Sequence, residues 1–313
     1  QPEILGLQHF EDIPLDVLAS YIDWSPFFWT WQLHGVYPTI FNKPEEGREA
    51  RKLFDDGQQI LEDLIAHKRL RPRAVAGFWP ANSMGEDVEV YSDESRSDTI
   101  ARFHFLRQQR RKRESQVCRS LADNVAPRAG GRIDYFGGFV VTAGSEVDEL
   151  AAAFRKEGDD YSAIIVQALG DRLAEATAEY LHKLMRDQCG FGKDEGFAAG
   201  IKIDEEQVGC LIKEKYRGIR PAAGYPCCPD HSEKMALWKL LDAEAKTGAT
   251  LTTSCAMKPA STVSGFYLNH KGAKYFNLAL IGNDQVSDYA ERKNISLAEA
   301  EKWLRPYLGY DEE

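Results

Sequence analysis

The chain has 313 residues, 43% of them hydrophobic and 11% aromatic, enough for a sizeable core in one large or two ordinary domains. A formal net charge of −10 argues against a general nucleic-acid partner and fits a soluble, cytoplasmic protein that docks on basic surfaces. No apolar run approaches the roughly 18 residues of a membrane span, and no signal-peptide pattern opens the chain.

Residues 1–12 read as a linker or tether, and 13–313 as one domain. Residues 15–21 form a short helix candidate, and Asp23-Trp-Ser-Pro26 reads as the entry to another, running through Phe27, Phe28 and Trp31. In 46–68, apolar residues recur at helical spacing. Strands are expected at 74–79, 88–91, 100–106 and 134–142, with a basic, solvated run at 107–113. Two helices follow, at 146–156 and from 160 to about 185. Residues 189–199, rich in glycine and charge, read as a mobile surface loop. Helices are expected near 205–213 and over 232–246, then strands at 251–253, 262–268 and 275–281. Helices at 284–293 and 297–304 close the chain, the last capped by Ser296. Strands gather in 74–142 and 251–281 without regular β-α-β alternation. That pattern predicts an α+β fold with a mainly antiparallel sheet and grouped helices.

The six cysteines are scattered and form no C-x-x-C, so they read as reduced thiols, neither a disulfide framework nor a metal knuckle. Glycine fingerprints for dinucleotides fail, and no P-loop, G-x-S-x-G or H-E-x-x-H occurs. The run Arg220-Pro-Ala-Ala-Gly-Tyr-Pro-Cys-Cys-Pro-Asp-His-Ser-Glu-Lys234 is neither helix nor central strand, because proline removes donors and fixes φ. It reads as an ordered loop, with Asp230 and Glu233 spaced as a capping box. Such a loop is either a structural corner or a device that holds a small polar ligand beside a guanidinium. On the long helix, Asp171, Glu175, Glu179 and His182 share one ridge. The ridge is a solvated face, a place for a ligand ammonium, or, through Glu179-x-x-His182, half of a di-iron pattern lacking its second half. Tyr275 and Phe276, adjacent on a strand, point to opposite faces, one to the core and one to a cleft. Residues 254–264, small and hydroxylated, suit close packing against a flat part of a ligand.

These motifs do not stand alone. Together with Tyr21-Ile-Asp-Trp-Ser-Pro-Phe-Phe28, Gly158-Asp-Asp-Tyr161, Gly170-Asp-Arg-Leu-Ala-Glu-Ala176, Lys274-Tyr-Phe276 and Gln285-Val-Ser-Asp-Tyr-Ala-Glu-Arg-Lys293, the loop closely resembles one family over about Ile13 to Asp311. That family is the C-terminal activation (reactivation) domain of cobalamin-dependent methionine synthase, a methyltransferase of methionine biosynthesis. The resemblance implies a single curved, C-shaped domain that binds S-adenosylmethionine. It places the ligand on Asp23, Glu175 and Arg220, with Tyr225, Tyr275 and Phe276 beside it. The chain departs from the family's pattern at Ala223, at Cys227-Cys228 and over residues 189–204.

The chemistry agrees with that placement. Arg220 suits the ligand carboxylate, Asp23 or Glu175 its ammonium, the aromatic rings its sulfonium, and the backbone around Ala222 and Gly224 its adenine. No catalytic base is needed. The cobalamin-ligand pattern D-x-H-x-x-G is absent here, so the resemblance puts cobalamin on a partner module and zinc elsewhere in the full enzyme. It also implies a flavodoxin-type or diflavin reductase as electron donor. The rival reading is an interaction module that docks a cobalamin domain or a reductase without holding any ligand.

Overall fold

The computed structural model describes residues 1–109 and 117–311, and most of the basic run at 107–113 lies outside them. In chain order the elements are β1 (Gly6–Phe10), α1 (Leu15–Leu18), α2 (Ser25–Trp29), α3 (Gly47–Ala66), β2 (Arg73–Met84), β3 (Asp87–Tyr91), β4 (Thr99–His104) and β5 (Asp134–Thr142). There follow α4 (Glu146–Lys156), α5 (Asp160–Gln188), α6 (Glu205–Ile212), α7 (Glu233–Leu241), α8 (Ala243–Thr247), β6 (Thr250–Leu251), β7 (Met257–Lys258), β8 (Thr262–Tyr267), α9 (Asn283–Lys293) and α10 (Leu297–Leu304). One six-stranded sheet runs in the order β4-β3-β2-β5-β8, with β1 also paired to β2, and every one of its pairings is antiparallel. The α+β class expected from the sequence is the class observed.

Long β2 organises the sheet. Its first half pairs with β1 and its end with β3 along one edge, while β5 runs along the other. Successive side chains on a strand face opposite ways, so β2 and β5 feed two cores. Ala74, Ala76, Phe78, Phe139 and Val141 pack against α1–α3 and α5. Val75, Trp79, Ala81, Phe136 and Val140 pack under α7 and α8. A third cluster joins α9 and α10 to Leu106, Leu278 and Ile281. Each fully buried large apolar side chain in these clusters contributes about 1.5–3 kcal/mol.

Helix α5 is the support for the site. Asp159 caps it, its Oδ1 accepting from the Ser162 amide at 2.9 Å. Its 29 residues hold one face against the sheet and leave Glu175 and Glu179 along the rim.

The structure corrects several expectations. Residues 6–10, expected within a tether, form β1, because Leu7 and His9 turn one way and Gly6, Gln8 and Phe10 the other, and the edge of β2 satisfies their backbone groups. The 189–199 segment is not a free loop. It is tied down by buried cations of α5: Arg186 donates to both Glu195 carboxylate oxygens at 2.6 and 2.7 Å, and Lys183 donates to the Gly192 carbonyl at 2.7 Å and to Asp187. The helix expected over 232–246 breaks at Asp242, whose φ of 48° is left-handed, a conformation aspartate tolerates. Residues 275–281 are irregular. Leu278 N bonds the Pro226 carbonyl at 2.9 Å and Ala279 N bonds Asn277 Oδ1 at 2.9 Å, so these amides serve the neighbouring loop and a local turn instead of a ladder. Arg107, read as solvated, forks Glu86 and Asp123, with Nε on Glu86 at 2.6 Å and Nη2 on Asp123 at 2.6 Å.

Candidate functional site

The 220–228 loop is stitched to the outer edge of β8. Ile219 and Leu268 exchange backbone hydrogen bonds at 3.0 and 3.1 Å, and the Phe266 amide donates to the Pro221 carbonyl at 2.8 Å. Gly265 is required there, since a Cβ would sit 2.7 Å from that carbonyl oxygen. The loop then turns on itself: Gly224 N donates to Cys228 O at 2.7 Å and Cys228 N to Tyr225 O at 2.8 Å. Gly224 has φ +97°, and a Cβ on it would lie 2.2 Å from the His231 ring. Only glycine fits the turn.

Asp230 and Glu233 do not form the expected capping box. Asp230 Oδ1 accepts from the Ser232 amide at 2.7 Å, while its other oxygen accepts from Tyr289 Oη and Lys293 Nζ, both at 2.7 Å. Glu233 accepts from the His104 amide at 3.0 Å and from Lys293. The carboxylates that would have capped α7 instead bind the end of α9. The foot of the loop is thereby held by the C-terminal helices.

Between this loop, β8 and the β6–β7 connection lies a cleft of about 990 Å³, at the upper end of small-molecule sites. A smaller recess of about 220 Å³ adjoins it. Glu175 and Arg220 line both. Ala222, Tyr225, Tyr275 and Phe276 line the cleft, whereas Asp23 lies in the recess with Tyr21 and Tyr216. Gly224 shapes the turn. Tyr275 and Phe276 do not take opposite faces; both reach the cleft, since their segment is irregular. Ser254, Met257 and Ser264 from the small-residue segment also line it, and Ser264 Oγ donates to Met257 Sδ at 3.3 Å.

Arg220 is the most tightly held of these groups. Its amide donates to Tyr275 Oη at 3.0 Å. Nη1 donates to Glu179 Oε2 at 3.0 Å and Tyr216 Oη at 3.0 Å, with His182 Nδ1 at 3.4 Å, and Nη2 donates to Glu179 Oε1. Burial opposes its charge, but Glu179 outweighs that and keeps the guanidinium well above its ordinary pKa. Burial, with Arg186 and Arg220 adding to it, pushes His182 well below the ordinary imidazole range, so the ring is neutral and Nδ1 accepts. His182 stacks on Tyr267 with centroids 5.1 Å apart, and Tyr267 stacks on Phe139 at 4.8 Å. The Glu179-x-x-His182 pair thus serves an arginine and an aromatic stack.

Glu175 sits one helical turn before Glu179 and has no hydrogen bond or ion pair with the described residues. Burial raises its carboxyl pKa, against the pull of Arg220 and Arg172. Asp23 Oδ1 accepts from the Ser25 amide at 2.9 Å at the entry to α2, an Asx-type turn that fixes its direction. Sequence reasoning missed the part played by Glu179 and Tyr216, and it missed Lys234, which is buried in the cleft wall with Nζ 2.7 Å from His231 Nδ1 and 3.1 Å from the Cys255 carbonyl oxygen. The four-residue step from Glu175 to Glu179 was the available signal for Glu179. Nothing in the sequence pointed to Tyr216 or Lys234.

The fold is an antiparallel α+β domain, and its cleft of about 990 Å³ brings together a pinned guanidinium, aromatic walls and a half-buried carboxylate with no hydrogen-bond partner among the described residues. Residues 14–294 match the family described as "Vitamin B12 dependent methionine synthase, activation domain". Among solved structures the chain is similar to that described as "Crystal Structure of the MetH Reactivation Domain bound to AdoHcy", with 47% sequence identity, a TM-score of 0.91, and coverage of 99% of this chain and 92% of that one. The chain belongs to the family of activation domains of vitamin B12-dependent methionine synthase, a methyltransferase. Among the described residues no helix is long and apolar enough to cross a membrane.

Proposed function

We propose that the chain binds S-adenosylmethionine in the cleft and presents its methyl group for reductive methylation of inactive cob(II)alamin, reactivating methionine synthase. The observation that carries this reading is the meeting of Arg220 and Glu175 at the junction of cleft and recess, with Asp23 on the recess side and Tyr275 on the other. Arginine has five N–H donors. Glu179 takes the end formed by Nη1 and Nη2, and Nε with the outer Nη2 hydrogen has no partner among the described residues. That second fork suits the ligand carboxylate. Glu175, with no hydrogen-bond partner among the described residues, suits the ammonium, and Asp23 backs it from the recess.

The aromatic rings of Tyr225, Tyr275 and Phe276 line the cleft and suit the sulfonium, each good contact being worth about 0.5–2 kcal/mol. The Ala222–Gly224 backbone is left for adenine. The ligand of the solved relative differs from S-adenosylmethionine by one methyl group, which supports the ligand class. Methyl transfer breaks the bond from sulfur to carbon, and its electron pair stays on sulfur. The domain's task is therefore to orient the methyl outward and exclude other poses, with no proton to move. Cobalamin, carried by a partner module, supplies the nucleophile when docked, and a flavodoxin-type or diflavin reductase supplies the electron. A cytoplasmic setting goes with this reading. Titration calorimetry of the chain with S-adenosylmethionine tests it, and absence of binding at high micromolar ligand would sink it.

A further inference from the structure

In the ligand reading Glu179 meets Arg220 and no part of the ligand itself. We infer that Glu179 is a positioning residue that grips Arg220 end-on and so presents the remaining edge of the guanidinium to the ligand carboxylate. The inference rests on the cleft being an S-adenosylmethionine site.

Three observations support it. First, the grip is bidentate: Glu179 Oε2 receives Nη1 at 3.0 Å and Oε1 receives Nη2, with both side chains 16% exposed. A planar fork held at its end cannot rotate, so the direction of its Nε edge is set. Second, the grip is itself braced. Tyr216 Oη accepts from Nη1 at 3.0 Å, while the Tyr216 ring is held edge-on to His182 at 5.1 Å and beneath the Arg186 guanidinium at 4.1 Å. The backbone of Arg220 is fixed separately by Tyr275 Oη at 3.0 Å. Third, Glu175 and Glu179 lie on consecutive turns of one helix, about 6 Å apart along its axis. The carboxylate that orients Arg220 and the carboxylate left for the ammonium therefore move as one body. Ammonium and carboxylate of the ligand are read by partners of fixed spacing.

The opposite view is that Glu179 competes with the ligand for Arg220. The two views predict opposite signs. The test is calorimetric titration of the full chain with S-adenosylmethionine and with its decarboxylated analogue, for the wild type and for Glu179→Ala, Glu179→Gln and Tyr216→Phe. Glu179→Ala is expected to weaken S-adenosylmethionine binding by about 10-fold to 100-fold, the size of a lost charged hydrogen-bond arrangement. Affinity for the decarboxylated analogue should not change. Glu179→Gln, which keeps one acceptor, and Tyr216→Phe should show smaller losses with the same dependence on the carboxylate. Tighter binding of S-adenosylmethionine by Glu179→Ala overturns the inference in favour of competition. Equal losses for both ligands also overturn it, since they report general damage to the cleft. If Glu179→Ala lacks the native circular dichroism spectrum, the Gln and Phe variants decide on the same criterion. A wild type that binds neither ligand removes the ligand reading and this inference together. A wild type that binds both ligands, with variants that match it, removes the inference alone.

Discussion

Replacing Lys293 with methionine probes the brace beneath the loop. Its ammonium donates to Asp230 Oδ2 at 2.7 Å, Ser232 Oγ at 2.7 Å and Glu233 Oε1. Both carboxylate side chains are only 2% exposed. Methionine fills most of the same volume, so the change removes charge and hydrogen bonds more than packing. Breaking a buried ion pair by removing one partner costs about 3–5 kcal/mol, because the other charge stays buried. Here one ammonium serves two carboxylates, and the hydroxyl of Tyr289 and the amides of Ser232 and His104 remain as donors. We therefore expect about 3–5 kcal/mol, a large share of a typical domain stability of about 5–15 kcal/mol. Urea unfolding at neutral pH should show a lower midpoint with the slope unchanged.

The sign of the pH dependence follows from Asp230. Burial raises its pKa, but Lys293 and the hydrogen bonds to it outweigh burial and hold the carboxyl below its ordinary value of 3.8. The wild type thus has this stabilisation above the unfolded carboxyl pKa and loses it as pH falls through the folded one. The difference between wild type and variant should be full near neutrality and shrink in acid. Adding Asp230→Asn and Glu233→Gln to the variant should restore much of the loss. A difference below about 1 kcal/mol, the scale of an exposed pair, or one that does not change with pH, would refute the reasoning.

Arg220→Ala should weaken S-adenosylmethionine binding by about 1.5–3 kcal/mol in calorimetry, and an unchanged affinity would remove that arginine from the site. Because burial raises the Glu175 pKa above its ordinary 4.5, ligand affinity should decline on acidification sooner than an exposed glutamate would allow. Glu175→Gln should bind weakly and without that decline; an identical pH profile in both proteins refutes an ammonium contact. Gly224→Ala forces a left-handed residue against the His231 ring and should cost about 1–3 kcal/mol. Thermal unfolding measures it, and a melting temperature equal to wild type contradicts the turn argument.

The fold was legible where local patterns decide it. The stripe on α5, the amphipathic face of α3 and the alternation in β4 needed no tertiary information, and those elements lie close to where their periodicity puts them. Errors fell where partners distant in sequence win. Gly6–Phe10 is too short and polar to read as a strand until the edge of β2 accepts it. The aromatic run at 275–281 looks like a strand, yet Leu278 spends its amide on Pro226. The charged stretch after α5 looks mobile, because the pairing of Arg186 with Glu195 cannot be inferred from composition. At the cleft the same division holds. Candidate side chains are nameable from motifs, but Asp23 and Arg220 are separated by almost 200 residues of chain, and the carboxylate that fills one end of Arg220 sits on a ridge that reads from sequence as a solvated face, an ammonium site or half of a di-iron pattern.

That occupied end changes what the loop does. A loop arginine with a free guanidinium would bind any anion that reached it, and its flexible side chain would lose entropy on every binding event. Arg220 has already lost that freedom to Glu179 and Tyr216 during folding. Its charge is largely balanced by a glutamate that is itself fixed on α5. What remains is directional: one edge, at one angle, lining the same cleft as Glu175, which has no hydrogen-bond partner among the described residues. Such an edge discriminates by geometry more than by charge. On the proposed reading a simple anion would gain little from it, whereas an α-amino acid group would engage the guanidinium edge and Glu175 together. On that reading the same rigidity would serve methyl transfer, which requires that the ligand be held in one pose while its methyl faces outward.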